Sequence, residues 1–117
     1  MNSKYQDFIF QAYTAFNRQD IKALLAFISD GVSWPDDDDD HRLHGKDAVR
    51  AYWLKKWETT RPYDKPVAIS ALSEEVSVVR IEQLVYDLDG AVISEGIFEH
   101  TFEIKDRLIV RMDLTKL

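Results

Sequence analysis

The first half of the chain places apolar residues three and four positions apart, which is the spacing of amphipathic helices. We predict a first helix over residues 5–16 and a second helix over residues 21–28. Ser3 and Gln6 have the spacing of a capping box for the first helix, and Asp20 is placed to cap the second. Both helices are predicted to turn one apolar face toward a common core.

The segments that follow these helices have a different character. Residues 32–34 are predicted to form a short strand, which Pro35 ends because proline cannot donate to a β-ladder. The aspartate run 36–40 comes next, and residues 46–57 (KDAVRAYWLKKW) then return to helical spacing. Residues 61–66 (RPYDKP) are rich in structure breakers, so we interpret them as a connection.

From residue 67 onward the apolar period changes to two, which predicts β-strands. The hairpin turn DLDG is predicted between two of them, since Asp-Gly favours the positive φ angles of such turns. The four predicted strands cover residues 67–71, 75–87, 91–104 and 108–114. On the third of them, one face carries Gly96, Phe98, His100, Phe102 and Ile104.

Three helices followed by a meander of antiparallel strands is an α+β arrangement. We therefore predict one domain over residues 1–117, with three N-terminal helices packed into a curved antiparallel sheet. A sheet that wraps around a helix leaves a cone open at one end, and such a cone is a natural pocket for a small molecule.

Composition and charge restrict the classes of function. The chain is 45% hydrophobic, which is enough for a folded core. It has no cysteine, and this absence excludes disulfides, thiol catalysis and cysteine-ligated metals. The net charge of −6 comes mainly from the aspartate run, because 15 basic residues otherwise face 16 acidic ones (21 minus 5). No basic cluster, signal peptide or membrane-length apolar run is visible. We expect a cytoplasmic protein that binds neither nucleic acid nor membrane, and no cofactor motif is visible.

Three stretches of the sequence, in this order, carry a family resemblance: AYTAFNRQDIKALLAFISDGVSW, LHGKDAVRAYW and GIFEHTFEIKDRLIVRMDL. They resemble the opening helices and first strand, the third helix and the closing hairpin of the nuclear transport factor 2-like superfamily, in particular its SnoaL-like and ketosteroid-isomerase-like branch. The resemblance implies a cone-shaped, cystatin-like α+β barrel and a homodimer.

The resemblance also implies site residues. Asp36 falls where the isomerases hold a general-base aspartate, and His100 falls where they hold a protonated aspartate in the oxyanion hole. Their oxyanion-hole tyrosine would fall at Ala12. Tyr13 is adjacent to that position, although one residue turns a helical side chain by about 100°.

The aspartate run allows several interpretations. It lacks the alternating oxygen ligands and the glycine of a calcium loop, and His41 and His44 have no visible scaffold for a transition metal, so we expect no metal site. A solvated loop accounts for residues 37–40. Asp36 directly follows the buried strand and Pro35, where it acts either as a partly desolvated general base or as the cap of a turn.

The remaining candidates lie on the predicted inner faces. His100 is either a core histidine or a proton donor and acceptor in the cone. The aromatic residues are either core or the walls of a pocket for a flat, apolar ligand. The candidate substrate-binding residues are Tyr13, Trp34, Trp53, Trp57 and Phe98.

We interpret the chain as a small-molecule-binding protein that transfers a proton next to a carbonyl, as isomerases, cyclases and dehydratases do. A non-catalytic ligand carrier and a dimeric interaction module are the alternatives. The expected partners are a small apolar or aromatic molecule and a second copy of the chain. The outward positions offered for that dimer are Ile97, Glu99, Thr101, Glu103 and Arg111.

Overall fold

The computed structural model describes residues 3–36 and 41–117. Within these ranges three helices and six strands form an α+β fold with a curved, unclosed sheet. The helices are α1 (Gln6–Asn17), α2 (Ile21–Leu25) and α3 (Lys46–Lys56). The strands are β1 (Ile28–Pro35), β2 (Arg42–His44), β3 (Thr60–Ala71), β4 (Val76–Asp87), β5 (Val92–Lys105) and β6 (Leu108–Lys116).

The sheet has the order β2-β1-β6-β5-β4-β3, so the meander β3 to β6 is extended by β1 and then by the short β2. All neighbours pair antiparallel except β1 and β6, which are parallel. Inward-facing residues of β1, β4, β5 and β6 pack with Ile9 and Tyr13 of α1 in one core. The predicted fold class is confirmed, and β2 was not predicted.

The apolar stripe of α1 is confirmed, but its predicted cap is wrong. Residues Ile9 to Phe16 supply the buried face, whereas the helix start has no side-chain cap. The hydroxyl of Ser3 instead lies 2.7 Å from that of Ser77 on β4 and accepts a hydrogen bond from the Tyr5 amide. Ser3 is buried, so its side chain ties the start of the chain to the sheet.

The second helix is shorter than predicted. Asp20 caps it as expected, with Oδ1 accepting from the Ala23 amide at 3.1 Å, but the helix ends at Leu25. Ile28 is fully buried and already belongs to β1, where it pairs with Ile109 of β6. This long-range parallel pairing, which local spacing cannot reveal, accounts for the early start of the strand.

The interpretation of residues 61–66 as a connection is wrong, because these residues belong to β3. They pair with β4 through Pro62 opposite Val85 and Asp64 opposite Gln83. β3 lies at the edge of the sheet, where a residue without an N–H is tolerated. The edge position explains how two prolines fit into a strand, and it brings Asp64 into the sheet.

The inward face of β5 is confirmed, since His100, Phe102 and Ile104 are all buried. Between β5 and β6 a register shift separates the partners of Glu103 and Ile104. As a result Ile109 and Met112 are the buried residues of β6. No helix within the described ranges has the length and apolar character needed to cross a membrane.

Candidate functional site

A cavity of about 380 Å³ lies between the helices and the inner face of the sheet. This volume is in the range of small-molecule sites, and most of the lining side chains are apolar or aromatic. The polar side chains that reach the cavity come from α1, the end of β1, α3, β3, β4 and β5. They include Tyr13, Asp36, Lys56, Asp64, Gln83 and His100.

Tyr13 and His100 form a buried hydrogen-bonded pair in the cavity wall. The Tyr13 hydroxyl, from α1, lies 2.7 Å from Nδ1 of His100 on β5. The two rings are stacked with centroids 5.8 Å apart, and Phe102 meets both rings edge-on. Packing on several sides holds the pair in one geometry, which a site that aims donors at a ligand requires.

Burial decides the protonation of this pair. It lowers the pKa of His100 from 6.5 to about 4, so the imidazole is neutral at neutral pH. Burial also raises the pKa of Tyr13 well above its usual value, and the negative charge of Asp64 raises it further. If Tyr13 donates to Nδ1, the Nε2–H of His100 is left over; if Nδ1–H donates to Tyr13, the phenol O–H is left over. In either tautomer the pair keeps one donor.

Asp64 is a buried carboxyl that the sequence analysis did not select. Its side chain lines the cavity from β3, and the residue is 4% exposed. Oδ1 accepts a hydrogen bond from Nε2 of Gln83 on β4 at 2.8 Å. Burial raises the pKa of Asp64 to about 6, and the hydrogen bond from Gln83 opposes that rise. The cavity therefore contains a carboxyl that titrates near neutral pH.

The backbone of Asp64 is held by Asn17 at the end of α1. The Asn17 side chain donates to the Asp64 carbonyl and accepts from the Asp64 amide, both at 2.8 Å. Asp64 was not predicted from the sequence, because its flanking prolines are typical of a turn. Gln83 was not predicted either, although a polar residue that interrupts the inward apolar series Val79, Ile81, Val85 of β4 indicates a cavity-facing position.

Asp36 follows β1 and lines the cavity beside Trp34 and Pro35. Its side chain is half-buried, and it interacts with other groups in the protein. The remaining aspartates of the run, residues 37–40, lie outside the described residues. His41 and His44 are exposed, and the described part of the chain contains no group of three metal-type ligands.

Four of the five candidate substrate-binding residues, Tyr13, Trp34, Trp53 and Phe98, line the cavity. Trp57 does not line it in this structure. It is buried in a second cluster with Ala15, Phe16 and Leu24, with its ring centroid 6.0 Å from that of Trp53. Trp57 lies one helical turn beyond Trp53, past the last residue of α3, and therefore supports the wall from behind.

Comparisons with known proteins agree with this architecture. A family model described as SnoaL-like domain matches residues 9–112 of the chain. An NTF2-like protein of unknown function from Burkholderia pseudomallei is 22% identical, with a TM-score of 0.82 over 98% of this chain and 92% of that chain. A search of curated proteins gave no match.

Two further solved structures are similar in fold. A protein from Pseudomonas putida proposed to be a polyketide cyclase is 20% identical, with a TM-score of 0.80 over 92% of this chain and 86% of that chain. A protein from Mycobacterium tuberculosis, in complex with estradiol-17β-hemisuccinate, is 18% identical, with a TM-score of 0.80 over 95% and 92%. At these identities the likeness is one of fold.

Proposed function

The chain belongs to the SnoaL-like domain family, and we propose that its cavity binds a small apolar or aromatic molecule and transfers a proton next to a carbonyl of that molecule. The observation that carries this proposal is the buried Tyr13–His100 pair in the wall of an aromatic cavity. A donor held in a water-poor pocket stabilises an enolate oxygen more strongly than the same donor does in water. The steroid derivative bound to the M. tuberculosis protein is a ligand of the same general kind.

In the proposed reaction Asp36 is the base and the Tyr13–His100 pair is the oxyanion donor. The Asp36 carboxylate removes the proton from the carbon beside the carbonyl, and the carbonyl oxygen takes up the charge. The donor that remains in the Tyr13–His100 pair then hydrogen-bonds this oxygen. Both members of the pair are neutral at neutral pH, so the pair donates without first losing or gaining a proton. The reaction uses no cofactor.

Aromatic side chains are the proposed binding surface for the body of the ligand. Trp34, Trp53 and Phe98 present flat apolar faces to the cavity, which suits a ring system. Trp57 contributes indirectly, by packing against Trp53.

The test is hydrogen exchange at the carbon beside a carbonyl. The protein is incubated with an aromatic ketone such as 1-tetralone in D₂O, and deuterium uptake at that carbon is followed by NMR. Asp36→Asn should reduce the catalysed exchange about 100-fold, as expected for the loss of a general base. The matched control Asp30→Asn, an exposed aspartate on β1, should stay within about threefold.

A second measurement separates the alternatives. Titration of the ketone against tryptophan fluorescence reports binding through Trp34 and Trp53. Binding without catalysed exchange would support the ligand carrier. If a panel of aromatic ketones shows no binding and no exchange, the dimeric interaction module is the alternative that remains.

We also propose that the chain forms a homodimer through the outer face of its sheet. Tyr63 and Ile97 are about half exposed there. Nη2 of Arg80 on β4 lies 3.6 Å from Oε2 of Glu99 on the neighbouring β5. An interface that mixes apolar groups with paired charges is common in two-fold dimers. Light scattering at micromolar concentration should give twice the chain mass of 13.6 kDa. A mass of one chain would contradict the dimer.

A further inference from the structure

We propose that Asp64 is the acid of this site, and that it protonates the hydroxyl group that leaves when a β-hydroxy ketone loses water in the cavity. The proposal rests on the carbonyl-adjacent proton transfer proposed above. It adds a second catalytic residue and commits the site to one substrate class, the β-hydroxy ketones.

The geometry of Asp64 is that of a residue built to face a ligand. Gln83 holds Oδ1 at 2.8 Å, and Asn17 holds the backbone amide and carbonyl. Within the described part of the chain, Oδ2 accepts no hydrogen bond, although Asp64 is 4% exposed and lines the cavity. A buried carboxyl with a purely structural role is expected to have a cation or several donors around it. One fixed oxygen and one open oxygen instead suit contact with a substrate.

The surroundings of Asp64 favour a proton on this carboxyl. Burial raises its pKa to about 6, so a fraction of the molecules carries the acid form at neutral pH. The titratable or charged groups that share the cavity are Tyr13 from α1, Asp36 after β1, Lys56 from α3 and His100 from β5. Tyr13 and His100 are neutral, and Gln83 on β4 is uncharged. An acid catalyst needs such a protonated starting state.

The proposed step balances in atoms and electrons. Asp36 removes the proton from the carbon beside the ketone, and that electron pair forms the new carbon–carbon double bond. The bond between the β-carbon and the hydroxyl breaks, and the leaving oxygen takes the proton of Asp64 and departs as water. Asp36 ends protonated and Asp64 ends ionised. Exchange with water restores both, so no oxidant or reductant is consumed.

The second carboxyl is what separates elimination from isomerisation. An isomerisation returns the abstracted proton to another carbon and needs only one base and an oxyanion donor. Hydroxide is a poor leaving group, so an elimination needs an acid at a second position. A cavity with Asp36 at one place, Asp64 at another and the Tyr13–His100 pair in its wall supplies all three groups.

The experiment uses 4-hydroxy-4-phenylbutan-2-one as the probe, because two steps can be read on the same molecule. Deuterium exchange at its C3 reports the base, and the ultraviolet absorbance of the conjugated product reports the loss of water. Asp64→Asn should reduce elimination about 100-fold and reduce C3 exchange by a much smaller factor. Asp36→Asn should reduce both. Glu82→Gln, the outward neighbour of Gln83, should change neither.

The pH profile provides a readout that a structural role would not move. Wild-type elimination should fall as the pH rises above about 6, and this fall should be absent in Asp64→Asn. Gln83→Leu removes the hydrogen bond that lowers the pKa of Asp64. In this variant the decrease of the elimination rate should therefore occur at higher pH than in wild type. Circular dichroism and thermal unfolding confirm that each variant is folded.

The outcomes distinguish this inference from the proposed function. Elimination by Asp64→Asn within threefold of wild type, or equal losses of exchange and elimination in that folded variant, would overturn the role of Asp64. Wild-type exchange without any elimination would also overturn it, and would leave the proposed function standing. A wild type that does neither with a panel of β-hydroxy ketones would remove both.

Discussion

Asp64 and His100 are buried in the same cavity, and they change the stability of the protein in opposite directions as the pH changes. The pKa of His100 falls from 6.5 to about 4 on folding. The stability that neutral His100 contributes to the folded state is therefore complete above pH 6.5 and is lost as the pH falls toward 4. The pKa of Asp64 rises from 3.8 to about 6 on folding. The stability that protonated Asp64 contributes to the folded state is therefore complete below pH 3.8 and is lost as the pH rises through 6. Each shift corresponds to about 3 kcal/mol. Between pH 4 and 6 the two effects largely cancel.

Removing one of these groups should expose the effect of the other. Asp64→Asn keeps the shape of the side chain and an oxygen for Gln83, but it removes the titration. Relative to wild type, the free energy of unfolding of the variant should rise by about 3 kcal/mol between pH 4 and pH 7. Urea unfolding at one-unit pH intervals measures this difference.

The control for this titration is Asp30→Asn, because Asp30 is exposed and its substitution leaves both buried groups in place. Its stability should run parallel to that of wild type over the same pH range. A pH-independent difference between Asp64→Asn and wild type would mean that Asp64 is ionised throughout and would contradict the shifted pKa.

The junction between α1 and β3 shows how an element can protect a sheet edge. β3 is an edge strand, and an edge strand exposes unpaired N–H and C=O groups. The Asn17 side chain, at the end of α1, bonds the amide and the carbonyl of Asp64. One side-chain amide thus takes the place of a neighbouring strand, next to the carboxyl that faces the cavity.

This junction predicts a local effect of Asn17→Ala. The substitution removes both hydrogen bonds to the Asp64 backbone and should reduce the free energy of unfolding by about 1–3 kcal/mol. The Asp64 amide proton should exchange with solvent faster, while amides in the centre of β5 keep their protection. Hydrogen exchange followed by NMR measures both. Gln11→Ala, an exposed position of the same helix, should leave the Asp64 amide unchanged.

The net charge of −6 comes mainly from the aspartate run 36–40, which directly follows β1 in the sequence. A cluster of like charges raises the local negative potential, which salt screens over roughly 8 Å at physiological ionic strength. Asp36 lines the cavity, so this potential acts on ligands that enter it. Anionic ligands should therefore bind more weakly than neutral ligands of the same shape.

Replacing residues 37–40 by asparagine tests this field. The substitutions change the net charge from −6 to −2 (four charges fewer) and retain Asp36. At low ionic strength the variant should bind 2-naphthoate more tightly than wild type does, and 2-naphthol equally well. Fluorescence titration at two salt concentrations measures both affinities. Unchanged 2-naphthoate affinity at low salt would show that the run does not act on the cavity.

The periodicity of the sequence determined most of the elements and the orientation of several site residues. Apolar spacing predicted the buried stripe of α1, the helix α3, the long strands β4 and β5, and the inward side chain of His100. These features are local, because the pitch of a helix or the pleat of a strand sets which side chains share a face. Asp20 as a cap is local for the same reason.

Only the tertiary structure decided the features that depend on pairing between distant segments. The edge position of β3 turned residues 61–66 into a strand, and the register of β3 with β4 placed Asp64 opposite Gln83. The register shift between β5 and β6 places Ile109 and Met112 in the core. Burial then shifted the pKa of Asp64, and no neighbour in sequence supplies that burial. Strand partners and desolvation are set by the whole fold. Asp64, which lies between two prolines, therefore acquires its raised pKa only in the folded protein.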